Sequence, residues 1–125
     1  MRRAFAVVTV VLLLLLGGAS AGAQCESKRV KFQRGSSTAA LRGKVSAARA
    51  VCYELRARAG QKMSVRLTST TKTVRFGVAP PGFDREPIVE DVTNWEAVLE
   101  EGGEYVISVA VPKGSAFYTF EVTIQ

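Results

Sequence analysis

The chain has 125 residues, 47% of them hydrophobic, with 17 Lys or Arg, 11 Asp or Glu, two Cys and no His. Without histidine the usual general base at neutral pH and the commonest zinc ligand are both missing, and two separated cysteines cannot build a tetrahedral zinc site alone. No Gly-x-Ser-x-Gly nucleophile motif is present either, so an enzyme is the least favoured class, with a carboxylate pair as its remaining route.

The first 23 residues read as an export signal. Arg2 and Arg3 open it, Ala4 to Leu16 is apolar apart from Thr9, and Ala21-Gly22-Ala23 supplies the small-x-small site that signal peptidase needs. That apolar run falls short of the ~20 residues a permanent bilayer span requires. An uncut N-terminal anchor is the competing reading. Gln24 before Cys25 argues against lipid attachment, which wants a small residue there. The expected mature chain is therefore Gln24 to Gln125, one exported domain that does not span a membrane, placed in the periplasm or secreted.

Cys25 and Cys52 then lie in an oxidising space, where a disulfide is expected to tie the N-terminus to a core strand. A buried free thiol at Cys52 with an exposed one at Cys25 is the alternative.

The mature sequence reads as short strands broken by Gly, Pro and Ser clusters. Val30 and Phe32 alternate with Lys31 and Gln33 before the turn signal Gly35-Ser36-Ser37. The segment Ser46 to Gly60 has helical composition, yet Val51, Tyr53, Leu55 and Ala57 alternate with polar residues and would smear around a helix, so a strand is expected. Met63, Val65 and Leu67 alternate next, then Val74, Phe76 and Val78 ahead of Pro80-Pro81-Gly82. Tyr105, Ile107, Val109 and Val111 follow, and Phe120, Val122 and Ile124 close the chain. A period of two puts one apolar face inward. Seven or eight antiparallel strands must hide those faces between two sheets, which predicts an all-β, jelly-roll-like β-sandwich.

Charge divides unevenly. Gln24 to Gly82 holds thirteen Lys or Arg against Glu26 and Glu54, a net of +11, and Phe83 to Gln125 carries a net of −7. Either the halves neutralise each other across the fold or one end attracts a charged partner. The basic set Lys28, Arg29, Lys31, Arg34, Arg42, Lys44 and Arg49 could contact anionic envelope polymers. Nucleic acid is a poor fit, with few aromatics among these cations to stack on bases. Asp84, Glu86, Glu90 and Asp91 match no calcium loop and read as a solvated connection, so no metal or other cofactor is expected. Trp95 reads as a core anchor rather than a sugar platform.

Val30-x-Phe32-x-x-Gly35-Ser36-Ser37, Gly43-x-Val45, Tyr53-x-Leu55-x-Ala57-x-Ala59-Gly60-Gln61-Lys62 and Gly102-Gly103-Glu104-Tyr105-x-Ile107-x-Val109 occur together in this order. In this the chain resembles the exported bacterial inhibitors of goose-type lysozyme and, more loosely, the pre-peptidase-C-terminal-like jelly-roll sandwiches, over Val30 to Ile124. The resemblance implies a protein that blocks a lysozyme or other muramidase by pushing a loop into its sugar-binding cleft. In several lysozyme-inhibitor families that loop carries Ser-Gly-x-Tyr. The matching positions here are Gly102, Gly103, Glu104 and Tyr105, so the serine is missing. Glu100 and Glu101 would add an acidic rim that draws in a basic enzyme. Tyr105 has a second reading, as a corner residue packed inward with its hydroxyl on backbone. A non-inhibitory envelope- or polysaccharide-binding module is the alternative function.

Overall fold

The alternating side chains are realised as strands in a computed structural model that describes Gln24 to Gln125; the expected export signal, residues 1–23, lies outside the described residues. The strands are β1 Gln24–Arg29, β2 Thr38–Ser46, β3 Arg49–Ala57, β4 Lys62–Ser69, β5 Arg75–Ala79, β6 Val89–Val92, β7 Asn94–Val98, β8 Gly103–Ala110 and β9 Ser115–Ile124. No helix occurs among the described residues, and none is therefore long and apolar enough to cross a membrane.

Hydrogen bonding follows the order β6-β5-β8-β3-β2-β9-β4-β7, with β1 added to the free edge of β3. The hairpin of β2 and β3 is paired only at Ser46 and Arg49; beyond that point β2 runs with β9 and β3 with β8. One continuous sheet thus opens into two layers, β1-β3-β8-β5-β6 and β2-β9-β4-β7. The outermost strands of the order, β6 and β7, are separated in sequence by Thr93 alone, whose carbonyl accepts from Leu67 N–H at 2.9 Å. Its two ends must therefore meet, and the double-layered sandwich is nearly closed.

The core between the layers is wholly apolar or aromatic. It contains Val51, Tyr53, Leu55 and Ala57 of β3, Met63, Val65 and Leu67 of β4, and Ala116, Tyr118, Phe120 and Val122 of β9, and among the described residues no charged side chain is buried. Burial of each large side chain stabilises by about 1.5–3 kcal/mol. Tyr53 spans the layers: its ring meets Phe120 edge-on at 4.6 Å, and its hydroxyl lies 2.6 Å from that of Tyr118, so each buried hydroxyl finds a partner. Burial, with the Tyr53 hydrogen bond in support, pushes the Tyr118 hydroxyl far above its ordinary value. Gly43 faces Tyr118 across the β2–β9 ladder, where a Cβ would stand 2.5 Å from the Tyr118 hydroxyl oxygen. The phenol occupies the space a side chain would need.

Three details depart from the sequence reading. The described residues form nine strands rather than seven or eight, and the β1–β3 pair is parallel. The alternation at Val30 to Gln33 does not mark a strand. Val30 N–H still bonds Glu54 O at 3.0 Å and its side chain is buried, but the backbone then turns away through Gly35, at φ +80°. The strand lies just upstream, in Gln24–Arg29, where every side chain from Cys25 to Arg29 is exposed and no apolar pattern could announce it. What holds it is backbone pairing and the expected disulfide, which joins Cys25 to Cys52 at a Cα separation of 5.7 Å. By contrast, Arg49–Ala57 is a strand as its alternation predicts, despite its helical composition. Trp95 is half-buried and packs against the core.

Candidate functional site

Because the strands alternate in direction, the connections β1–β2, β3–β4, β5–β6 and β7–β8 all emerge at one end of the sandwich. There three loops are laced together. In the β3–β4 turn, Arg58 N–H bonds the Gln61 side-chain oxygen at 2.7 Å, and Gly60 takes a left-handed φ of +89°. That turn exchanges two backbone bonds of 2.8 Å with Leu99, at the start of the β7–β8 loop. The Ala-Gly-Gln-Lys motif is therefore a brace for residues 99–102.

The β7–β8 loop holds the residues the sequence analysis singled out. Gly102 is exposed. Gly103 has φ +143°, and a Cβ there would come within 2.8 Å of the Pro81 Cβ, so the β5–β6 loop packs directly on its backbone. Tyr105 is buried to 1% exposure, and its hydroxyl donates to Glu101 O at 2.6 Å. Desolvation raises its pKa, keeping the phenol protonated as a donor. The side chain thus supports the turn from beneath.

Both neighbouring carboxylates are held by arginines. Glu101 receives a two-pronged pair from Arg85, both contacts 2.7 Å, and Arg85 also donates to Pro81 O at 2.6 Å. Glu104 receives Arg29 at 3.0 and 2.5 Å, with Arg56 at 3.8 Å. Each hydrogen bond from arginine holds its glutamate below the usual carboxylate range. Arg29–Glu104, Arg56–Glu104 and Lys62–Glu96 all join the basic half of the sequence to the acidic half, so part of the charge asymmetry is neutralised across the fold.

The remaining acids are uncommitted. Among the described residues Asp84, Glu86 and Glu100 are exposed and form no ion pair. Beside them Phe83 is 94% exposed, with Val98 and Ile88 also exposed. A cavity of about 330 Å³ opens between the two loops, lined by Pro80, Arg85, Ile88, Trp95, Leu99 and Tyr105 among others. A larger groove, about 780 Å³, runs past Gly77, Glu90 and Ser108, but no residue singled out in the β7–β8 loop lines it. Among the described residues no group of three or more His, Cys, Asp or Glu could hold a metal ion. What this end of the molecule offers is a braced, partly apolar surface on which the carboxylates of the β5–β6 and β7–β8 loops stand opposite Lys31, Arg34 and Arg58 of the other two connections. Phe83 and the Arg85–Glu101 clasp were not singled out from the sequence: an isolated Phe in a polar loop has no periodicity, and the clasp depends on two loops meeting.

No family model matches the sequence, and neither does any curated protein. Solved structures do. The chain is similar to PliG of Aeromonas hydrophila, a periplasmic lysozyme inhibitor of g-type lysozyme, with 26% identity, a TM-score of 0.75, and coverage of 82% of this chain and 98% of that one. PliG of Salmonella Typhimurium matches with 18% identity and a TM-score of 0.65 over 80% of this chain and 98% of its own. The pre-peptidase C-terminal domain of a Bacillus anthracis collagenase matches at 9% identity and a TM-score of 0.56, over 86% of this chain and all of its own. The fold is therefore the one these periplasmic inhibitors share with the pre-peptidase C-terminal domain, as the motifs of the sequence imply.

Proposed function

We propose that the protein is an exported lysozyme inhibitor, most suited to the goose type, that blocks its target by seating the loop end of the sandwich in the substrate cleft. The likeness to the Aeromonas hydrophila inhibitor over nearly the whole of that protein carries this reading. Periplasmic residence fits the same likeness and the Cys25–Cys52 bridge.

The geometry supports the mode of action in a specific way. Loops ordered before binding lose little entropy on complex formation, and here Tyr105, Arg85 and the Gln61 turn hold residues 99–104 in one shape. Gly102, Gly103, Glu104 and Tyr105 divide the work. Exposed Gly102 and its neighbours Glu100 and Glu101 form the contact, while Gly103, Glu104 and Tyr105 fix its shape. The free carboxylates speed encounter with a basic enzyme, an effect that fades with salt. Lysis of bacterial cells by goose-type, chicken-type and invertebrate-type lysozymes, with the processed protein added at micromolar concentration, tests the reading. Protection is expected against the goose type. No protection against any of the three overturns it.

A second reading rests on the opposite charge. Arg42 and Lys44 flank Phe117, which is 61% exposed, with the Lys44 ammonium 5.5 Å from the ring centroid. Anionic envelope polymers are the partners this patch suits. Salt-sensitive co-sedimentation with isolated cell walls is then expected, and its absence at low salt counts against the idea.

A further inference from the structure

From the shape of the β5–β6 loop we infer that Phe83 is the side chain that enters the target's cleft, with the β7–β8 loop acting as its buttress. This rests on the inhibitor reading and assigns the insertion itself to a loop that the Gly-Gly-Glu-Tyr motif does not include.

The argument begins with exposure. A phenylalanine left in water forgoes the stabilisation that burial of its ring would return. Single exposed apolar residues are common and need no explanation by themselves. Phe83 differs because the loop that carries it is clasped on both sides while its ring stays 94% exposed. Pro80 is buried and anchors the loop's start, and Pro81 rests against Gly103. Gly82 then turns at φ +109°, where a Cβ would press on the Arg85 side chain at 2.9 Å, and Asp84 follows at φ +59°. Arg85 closes the turn by donating to Pro81 O, and its two bonds to Glu101 fix the whole turn on the β7–β8 loop. Phe83 is the apex of this clasped ring of residues 81–85.

Its surroundings match one kind of partner. Ile88 and Val98, both exposed, line the same cavity as Arg85 and Leu99, so apolar surface lies beside the loop. Asp84 follows Phe83 directly, Glu86 and Glu100 line the same cavity, and among the described residues none of the three forms an ion pair. A projecting aromatic ring on a loop that carries unpaired carboxylates fits a concave, apolar-lined site set in a cationic surface. The cleft of a basic glycan hydrolase is such a site, since it must receive the apolar faces of sugar rings while its rim carries positive charge. Buried aromatic anchors at the centre of an interface are also the residues that carry most of its affinity.

The experiment compares the processed protein with its Phe83→Ala and Phe117→Ala variants against goose-type lysozyme, reading the concentration for half-inhibition and, in parallel, the thermal midpoint of each protein alone. Phe83 packs on nothing, so its variant is expected to melt with the parent and to need at least ~10-fold more protein for half-inhibition. The Phe117→Ala variant, lacking an exposed ring elsewhere on the surface, is expected to inhibit like the parent. A parent that inhibits beside a Phe83→Ala variant within about twofold of it overturns the inference and leaves the inhibitor reading standing. A parent that inhibits no lysozyme overturns both.

Discussion

The hydroxyl of Tyr105 donates to the carbonyl of Glu101 at 2.6 Å, so the first core side chain of β8 also closes the turn that precedes it. The Tyr105→Phe variant keeps the ring and loses the bond, leaving a turn carbonyl without its partner. A loss of about 1 kcal/mol in unfolding free energy is expected, together with faster amide exchange at Gly102 and Gly103. Equal exchange rates in the two proteins would show that the hydroxyl does not order the turn.

The clasp between Arg85 and Glu101 depends on pH with a definite sign. Arginine holds the Glu101 pKa below its ordinary value, so the clasp contributes fully above the usual carboxylate range of about 4.3 and is lost as pH falls through the lower folded value. Both partners are exposed, and screening makes the contribution salt-sensitive. Protection against hydrogen exchange across residues 80–88, relative to the intrinsic rate at each pH, is expected to fall below about pH 4, and to be lower at neutral pH in a Glu101→Gln variant. An unchanged pH profile in that variant would contradict the assignment.

Reduction of the disulfide between Cys25 and Cys52 releases a closed loop with a sequence separation of 27. The chain-entropy account gives a loss of about 3 to 4 kcal/mol. Because β1 buries no side chain from Cys25 to Arg29, the reduced domain is expected to stay folded with β1 loosened. Guanidinium unfolding with and without reductant measures both effects. Coincident curves would mean that β1 is held by its parallel ladder alone.

Replacement of Gly43 by alanine drives a methyl group into the Tyr118 phenol, which is itself fixed by Tyr53. A loss of about 1–3 kcal/mol is expected from overpacking. Unfolding midpoints decide it, and a variant as stable as the parent would show that the ring can move aside.

How much of this was legible in the sequence depends on where each feature's cause resides. Val51 to Ala57 could be read because alternation survives in a segment whose composition favours a helix, and burial between two layers decided the matter. Cys25 and Cys52 could be paired from their compartment. Gln24–Arg29 could not be read as a strand, since its stability comes from the edge that β2 leaves open on β3. Val30 and Phe32 misled for the converse reason: their apolar side chains cover the core from an irregular segment. The turn before Tyr105 was visible as Gly-Gly-Glu-Tyr, yet its rigidity comes from Arg85, sixteen residues earlier, and Glu104 is claimed by Arg29, seventy-five residues earlier. Such pairings follow from strand order, which local pattern does not encode.

The most direct test is an exchange footprint of the processed protein with and without a goose-type lysozyme. Protection concentrated in residues 80–88 and 99–104, with β2 and β9 unchanged, is the result expected of end-on docking. Protection confined to the Arg42, Lys44 and Phe117 face, or none at all, would contradict it.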